Sequence, residues 1–190
     1  MKIKVYRSHE KKIPDGINEL TQRALDDGAS DLFFIEEDTV PPEGVLKELL
    51  CAKEEVSFVD YSVAGWSCSM FEESRKEYIW CGLGCTMVKR SVFEKLYKPY
   101  FRTDKKFRLN DLVWLDIDRP EKAYVGHDIW FFLNSYKMGV KFKKIEGECR
   151  HLGLKSLGQS EINNGLHSIF EKQKIVKQQV INLSQYGGEL

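Results

Sequence analysis

The chain has 190 residues, 42% of them hydrophobic, which suits one domain with a substantial core. Its 29 basic and 29 acidic residues give a formal net charge of zero, a balance that calls for neither nucleic acid nor an anionic membrane as an obligatory partner. No apolar run reaches the roughly 20 residues of a bilayer crossing, and Met1-Lys2-Ile3-Lys4-Val5 lacks the apolar core of a secretory signal, so a soluble, cytoplasmic protein without a transmembrane segment is expected.

Lys2 to Arg7 alternates and uses β-branched residues, which predicts a short strand. Pro14-Asp15-Gly16 opens a helix that Asp15 can cap, with Ile17, Leu20, Ala24 and Leu25 on one face and Gly28 as the stop. Leu32-Phe33-Phe34-Ile35 is apolar throughout and too short for a helix, so it reads as a strand covered on both faces. After Glu36-Glu37-Asp38, the Pro41-Pro42 pair forces a turn, and Val45, Leu46, Leu49 and Leu50 mark a second helix. Val56 to Val59 continues as a strand. The first third is therefore strand–helix–strand–helix–strand, the pattern of an open α/β sheet.

Tyr78 to Val88 reads as a strand interrupted by Gly82 and Gly84. Ser91 and Glu94 have capping-box spacing for a short helix that follows. Residues 102–123 are charged, show no clear period and read as a long surface loop. A helix then starts near Gly126-His127-Asp128 and stops at Gly139, and Val140 to Ile145 is a strand. From Ser160 to Tyr186 the pattern is helical, with Ile169, Val176, Val180 and Leu183 on one face. The five cysteines are odd in number and scattered; they read as buried packing residues rather than a zinc site.

Four groups carry potential chemistry. Glu36 and Asp38 stand two apart at the carboxyl end of a buried strand, where open α/β sheets bind ligands. Clustered anions there call for a divalent cation, although a solvated acidic turn has the same composition. Asp128 opens a helix, where an ionised carboxylate can act as general base or simply cap. His151 is either a transition-metal ligand or an ordinary residue at a strand end. Gly82 and Gly84 allow close backbone approach to a ligand, or mark a bulge. Asp116-Ile117-Asp118 imitates the acidic pattern but follows no buried strand.

In chain order these pieces resemble a GT-A fold glycosyltransferase of the family 2 type. Asn18 through Gly28 to Leu32-Phe33-Phe34-Ile35-Glu36-Glu37-Asp38-Thr39-Val40-Pro41-Pro42 is similar to that family's helix and Asp-x-Asp (DXD-like) strand. Cys81 to Phe93 resembles its glycine-containing strand and next helix, and Gly126-His127-Asp128-Ile129-Trp130-Phe131-Phe132 its Glu-Asp motif. His151-Leu152-Gly153 is similar to a histidine segment that completes the metal site in several relatives. The resemblance spans about residues 2–155 and enters the family pattern at its third strand, so the nucleotide base would be held by other means. Glu36 stands where the family has Asp, and His127 where it has Glu.

What the resemblance implies is a mixed, mainly parallel α/β sheet, with residues 1–155 as the catalytic domain and 156–190 as a helical tail packed on that domain or on a second subunit. It further implies a nucleotide-sugar-dependent transferase, acting by inverting displacement on a saccharide, lipid or protein acceptor. Asp38, Glu36 and His151 would hold Mn2+ or Mg2+, with manganese favoured by the histidine. Glu36, Glu37, Asp38, Gly82 and Gly84 would bind the donor, and Asp128 would be the base. A degenerate GT-A-like scaffold without transferase activity, and a nucleotidyltransferase, are the competing readings.

Overall fold

The computed structural model describes residues 4–6, 13–63, 65–108, 113–120, 123–152 and 179–182. The strands are β1 (Lys4–Tyr6), β2 (Asp31–Ile35), β3 (Thr39–Val40), β4 (Val56–Val63), β5 (Trp66–Ser67), β6 (Met70–Glu72), β7 (Glu77–Trp80), β8 (Cys85–Lys89), β9 (Lys105–Arg108), β10 (Val113–Asp116), β11 (Tyr124–Val125), β12 (Phe142–His151) and β13 (Gln179–Asn182). The helices are α1 (Asp15–Asp26), α2 (Val45–Cys51), α3 (Arg90–Lys95) and α4 (His127–Lys137).

The main sheet has the order β1-β13-β2-β8-β4-β12-β3, with β5 attached to β4. Strand β2 shows why it is central. Its apolar run alternates between two cores: Leu32 and Phe34 join one cluster, Phe33 and Ile35 the other. The first core also takes residues from α1, α3 and α4, and the second takes Val45 and Leu49 of α2, so helices cover both faces. The fold is α/β with a mixed sheet. The sheet is less parallel than expected. Strands β1, β2, β4 and β12 share a direction, but β13 and β8 run against them, so β4 and β12 are the parallel pair among the described residues.

Several boundaries follow the sequence pattern. Helix α1 presents Leu20, Ala24 and Leu25 to the core, and α4 ends before Gly139, whose φ of +78° is the left-handed conformation glycine adopts most readily. The expected caps do not form. The N-cap of α1 is Pro14, without a side-chain cap, and Asn18 acts instead by exchanging two hydrogen bonds with the backbone of Phe101, at 2.9 and 3.0 Å. At α3, Ser91 donates to Glu55 and Glu94 pairs with Arg90 at 2.9 Å, so both capping-box side chains are engaged elsewhere. The glycine-interrupted strand is two strands: β7 pairs with β6 in a separate ribbon, and β8 enters the main sheet.

Residues expected as a surface loop form a second sheet of order β10-β9-β11. Phe107 of β9 is paired with Trp114 of β10, their rings 5.1 Å apart, and Phe107 reaches the main core. At Gln179–Asn182 the backbone is a strand between β1 and β2 rather than the expected helix, while residues 153–178 and 183–190, including Ile169, Val176 and Leu183, lie outside the described residues. Among the described residues no helix is long and apolar enough to cross a membrane.

Helix α4 is seated by aromatic stacking. Phe131 is fully buried and packs against Phe93, Phe101 and Phe132 at centroid distances of 5.3, 4.7 and 4.9 Å. Replacing Phe131 with Ala is expected to lower unfolding free energy by about 3–5 kcal/mol, read by urea denaturation.

Candidate functional site

Because β2, β4 and β12 run the same way, their carboxyl ends meet at one edge of the sheet, and the oppositely directed β8 begins there. This is the edge where open α/β sheets place ligands. Glu36, Glu37 and Asp38 follow β2 directly. Strand β3 then pairs with the end of β12, bringing Thr39 opposite His151, and the Leu152 amide donates to the Asp38 carbonyl at 2.7 Å. A register shift in β12 between Lys144 and Glu148 redirects the strand before it reaches this point. The outcome is a contact between His151 Nε2 and Asp38 Oδ2 at 3.2 Å, with both side chains mostly buried.

Tyr61, near the end of β4, organises the cluster and was not among the residues expected to matter. Its hydroxyl donates to Glu36 Oε2 at 3.2 Å and accepts from the Gly84 amide at 3.3 Å. Its ring lies parallel to the His151 imidazole, 5.7 Å away with a 4° interplanar angle. Gly82 and Gly84 make room for it. A Cβ on Gly82 would stand 2.4 Å from the Tyr61 hydroxyl, and one on Gly84 would meet Thr39 Oγ1 at 2.7 Å and the Tyr61 ring at 2.8 Å. The glycines therefore admit a side chain of this protein, a closer approach than the sequence pattern could specify.

Burial, then the charges of Asp128 and Asp38, push the Glu36 carboxyl up to about 7, against a smaller opposing pull from the Tyr61 hydrogen bond. This interaction places Asp128, from the first turn of α4, within electrostatic reach of the acidic triplet. Asp128 is itself raised by burial, although neighbouring His127 and the Ile129 amide, which donates to Asp128 Oδ1 at 2.8 Å, favour its ionised form. Gly126 lies close beside it: a Cβ there would stand 2.3 Å from Asp128 Oδ1 and turn that carboxylate aside. His127 packs on Phe101 and is held below the ordinary imidazole range by burial, against an opposing pull from the Asp128 charge.

The expected residues are thus brought together: Asp38 touches His151, Glu36 and Asp128 interact through their charges, Glu37 lies half-buried in the intervening turn, and Gly82 and Gly84 flank Tyr61. Asp116 and Asp118 belong to a different part of the surface, where Asp116 pairs with Lys105. All five cysteines are free thiols; Cys81, Cys85 and Cys149 are buried, and Cys51 is exposed. Among the described residues, no three His, Cys, Asp or Glu side chains are gathered into a preformed metal cage. Asp38 and His151 nevertheless offer an oxygen and a nitrogen beside carboxylates whose charges repel. That donor set fits a divalent ion that takes one or two protein ligands and fills its other positions with phosphate oxygens and water.

No family model matches this sequence, and no curated protein matches it. A solved structure described as "Crystal Structure of A197 from STIV" is similar with a TM-score of 0.46 and 18% identity, over 74% of this chain and 66% of that one.

Two outcomes follow from this geometry. The folded-state value for Glu36 lies above its ordinary value of 4.5, so the native state resists ionisation and loses stability as pH rises from about 4.5 to 7. Without added metal, Glu36→Gln is expected to melt at a higher temperature than the parent at pH 8, with the gap closing by about pH 4.5. Gly84→Ala forces Tyr61 or Thr39 aside and should cost about 1–3 kcal/mol in chemical denaturation.

Proposed function

We propose that this edge is the active site of a metal-dependent glycosyltransferase that moves a sugar from a nucleoside-diphosphate donor to an acceptor hydroxyl. The observation that carries the reading is the convergence of the Asp38–His151 pair with Glu36 and Asp128 at one sheet edge, from segments far apart in sequence. Mutually repelling carboxylates are costly unless a cation or a bound proton offsets them. Asp38 and His151 would hold Mn2+ or Mg2+, which when bound supplies positive charge against the diphosphate that departs.

The residues of this chain divide the remaining work. Asp128, made more basic by its burial, would accept the proton of the acceptor hydroxyl as that oxygen attacks the donor's anomeric carbon. Departure of the diphosphate from the opposite side makes the displacement inverting. Glu36, steadied by Tyr61, would take hydroxyls of the donor's ribose or sugar. Packing of Tyr61 against Gly82 and Gly84 would hold Glu36 in one orientation toward those hydroxyls, and such positioning contributes to rate.

Calorimetric titration with UDP and GDP in the presence of manganese should show binding that Asp38→Asn weakens at least tenfold. Asp128→Asn should retain that binding yet lose donor hydrolysis or transfer by about 100-fold or more. Unchanged turnover in Asp128→Asn would remove Asp128 as the base, and no nucleotide binding and no turnover at saturating manganese would remove the enzymatic reading.

A further inference from the structure

At the opposite end of α4 from the candidate site, a cavity of about 490 Å³ opens between the turn that joins β6 to β7, the last turn of α4 and the approach to β12. Asp128 occupies the first turn of this helix and Lys137 the last, roughly 14 Å apart along its axis. The cavity floor is apolar: Ile79, Phe107, Leu133 and Val140 line it, and each is less than a tenth exposed. A concave apolar floor of this size, with a few polar groups at its mouth, is the ordinary form of a small-molecule site.

The polar groups set the sign of charge that the cavity accepts. Three basic and two acidic side chains line it, a surplus of one positive charge. Both acids are already answered. Glu77 accepts from the Tyr136 hydroxyl at 2.5 Å and from Lys141 at 3.0 Å, and Glu72 accepts from the Ser74 amide and hydroxyl at 3.1 and 2.8 Å. Lys137 is different. Its ammonium stands over the Phe107 and Trp114 rings, 5.6 and 5.8 Å from their centroids, and meets no carboxylate among the described residues. Such ring contacts attract the charge without using up its N–H donors. Arg75 gives one guanidinium nitrogen to the Tyr136 hydroxyl at 2.9 Å and keeps further donors. The Ser135 and Tyr136 carbonyls in the last turn of α4 accept from the Met138, Gly139 and Val140 amides, which blunts the negative pole of the helix end beside the cavity.

We propose that this cavity is a binding site for a small amphipathic monocarboxylate, its apolar body on Ile79, Phe107, Leu133 and Val140 and its carboxylate answered by Lys137 and Arg75. One negative charge cancels the surplus at the mouth. A compact anion would satisfy the cations but leave the apolar floor in water, and a neutral hydrocarbon would leave the cations unused. The site shares no residue with the carboxylate edge and stands whether or not the chain is a transferase.

The test uses the full chain without added metal. Its probes are phenylbutyrate and octanoate, each beside its neutral amide and the amine of equal length. Titrations are followed by ligand-observed NMR and by the methyl signals of Leu133 and Val140. At least one carboxylate should bind saturably and move those two signals, and its amide should bind about tenfold more weakly because the charged contact is lost. Lys137 is exposed, so Lys137→Gln leaves the floor intact; it should weaken carboxylate binding about tenfold, and Lys137→Arg should keep it. Lys98→Gln, a change to an exposed lysine remote in sequence from the cavity lining, should leave binding as it is. No saturable binding of either carboxylate at about 10 mM, weaker than a fragment of this size should show, would overturn the proposal. Equal binding of carboxylate, amide and amine, or a preference for the amine, would overturn it too. So would carboxylate binding that Lys137→Gln leaves unchanged, or that leaves the Leu133 and Val140 signals unmoved.

Discussion

Burial of the Glu36 carboxyl beside Asp128 and Asp38 is the constraint around which the candidate site is arranged. Three carboxylates at the edge of one sheet, partly withdrawn from water, oppose folding unless something answers each of them. Here Glu36 receives the Tyr61 hydroxyl, Asp38 meets His151, and Asp128 accepts the Ile129 amide. Burial, and then the charges of Asp128 and Asp38, still push the Glu36 carboxyl up to about 7 despite the Tyr61 hydrogen bond. Buried, mutually close carboxylates of this kind mark a candidate functional site.

The surrounding architecture keeps the cluster from relaxing apart. Phe131 and its aromatic neighbours fix the axis of α4, which fixes Asp128. The irregularity in β12 brings His151 to Asp38, and the two glycines before β8 admit the Tyr61 ring between Glu36 and His151. Each device lies on a different element, so no single segment holds the site together. Preorganised groups on a rigid frame reorganise little when charge develops, and that is the feature electrostatic catalysis depends on.

Much of this was legible in residues whose pattern is local. The apolar run Leu32-Phe33-Phe34-Ile35 announced a doubly covered strand, and the acidic triplet after it announced the edge. Tyr61 was not legible, because a phenol in an apolar strand looks like core; its role comes from Glu36 and Gly84, each more than twenty residues away. The hairpin of β9 and β10 was hidden by its lysines. Lys106 is buried, with its ammonium against the Arg119 carbonyl, and Lys105 reaches Asp116, so the charges that suggested a loop cover a packed Phe107–Trp114 pair. Strand β13 was missed because its helical periodicity competes with pairing to β1 and β2, a contact between distant parts of the chain.

That last strand has a consequence for biosynthesis. Strand β1 meets the sheet through β13, and β13 is translated only after every other described element. On the ribosome, β1 therefore waits for the much later β13 before it can dock, and until then the outer flank of β2 has open backbone donors and acceptors. Pairing of residues 179–182 between β1 and β2 closes an edge that is otherwise open to intermolecular strand capture.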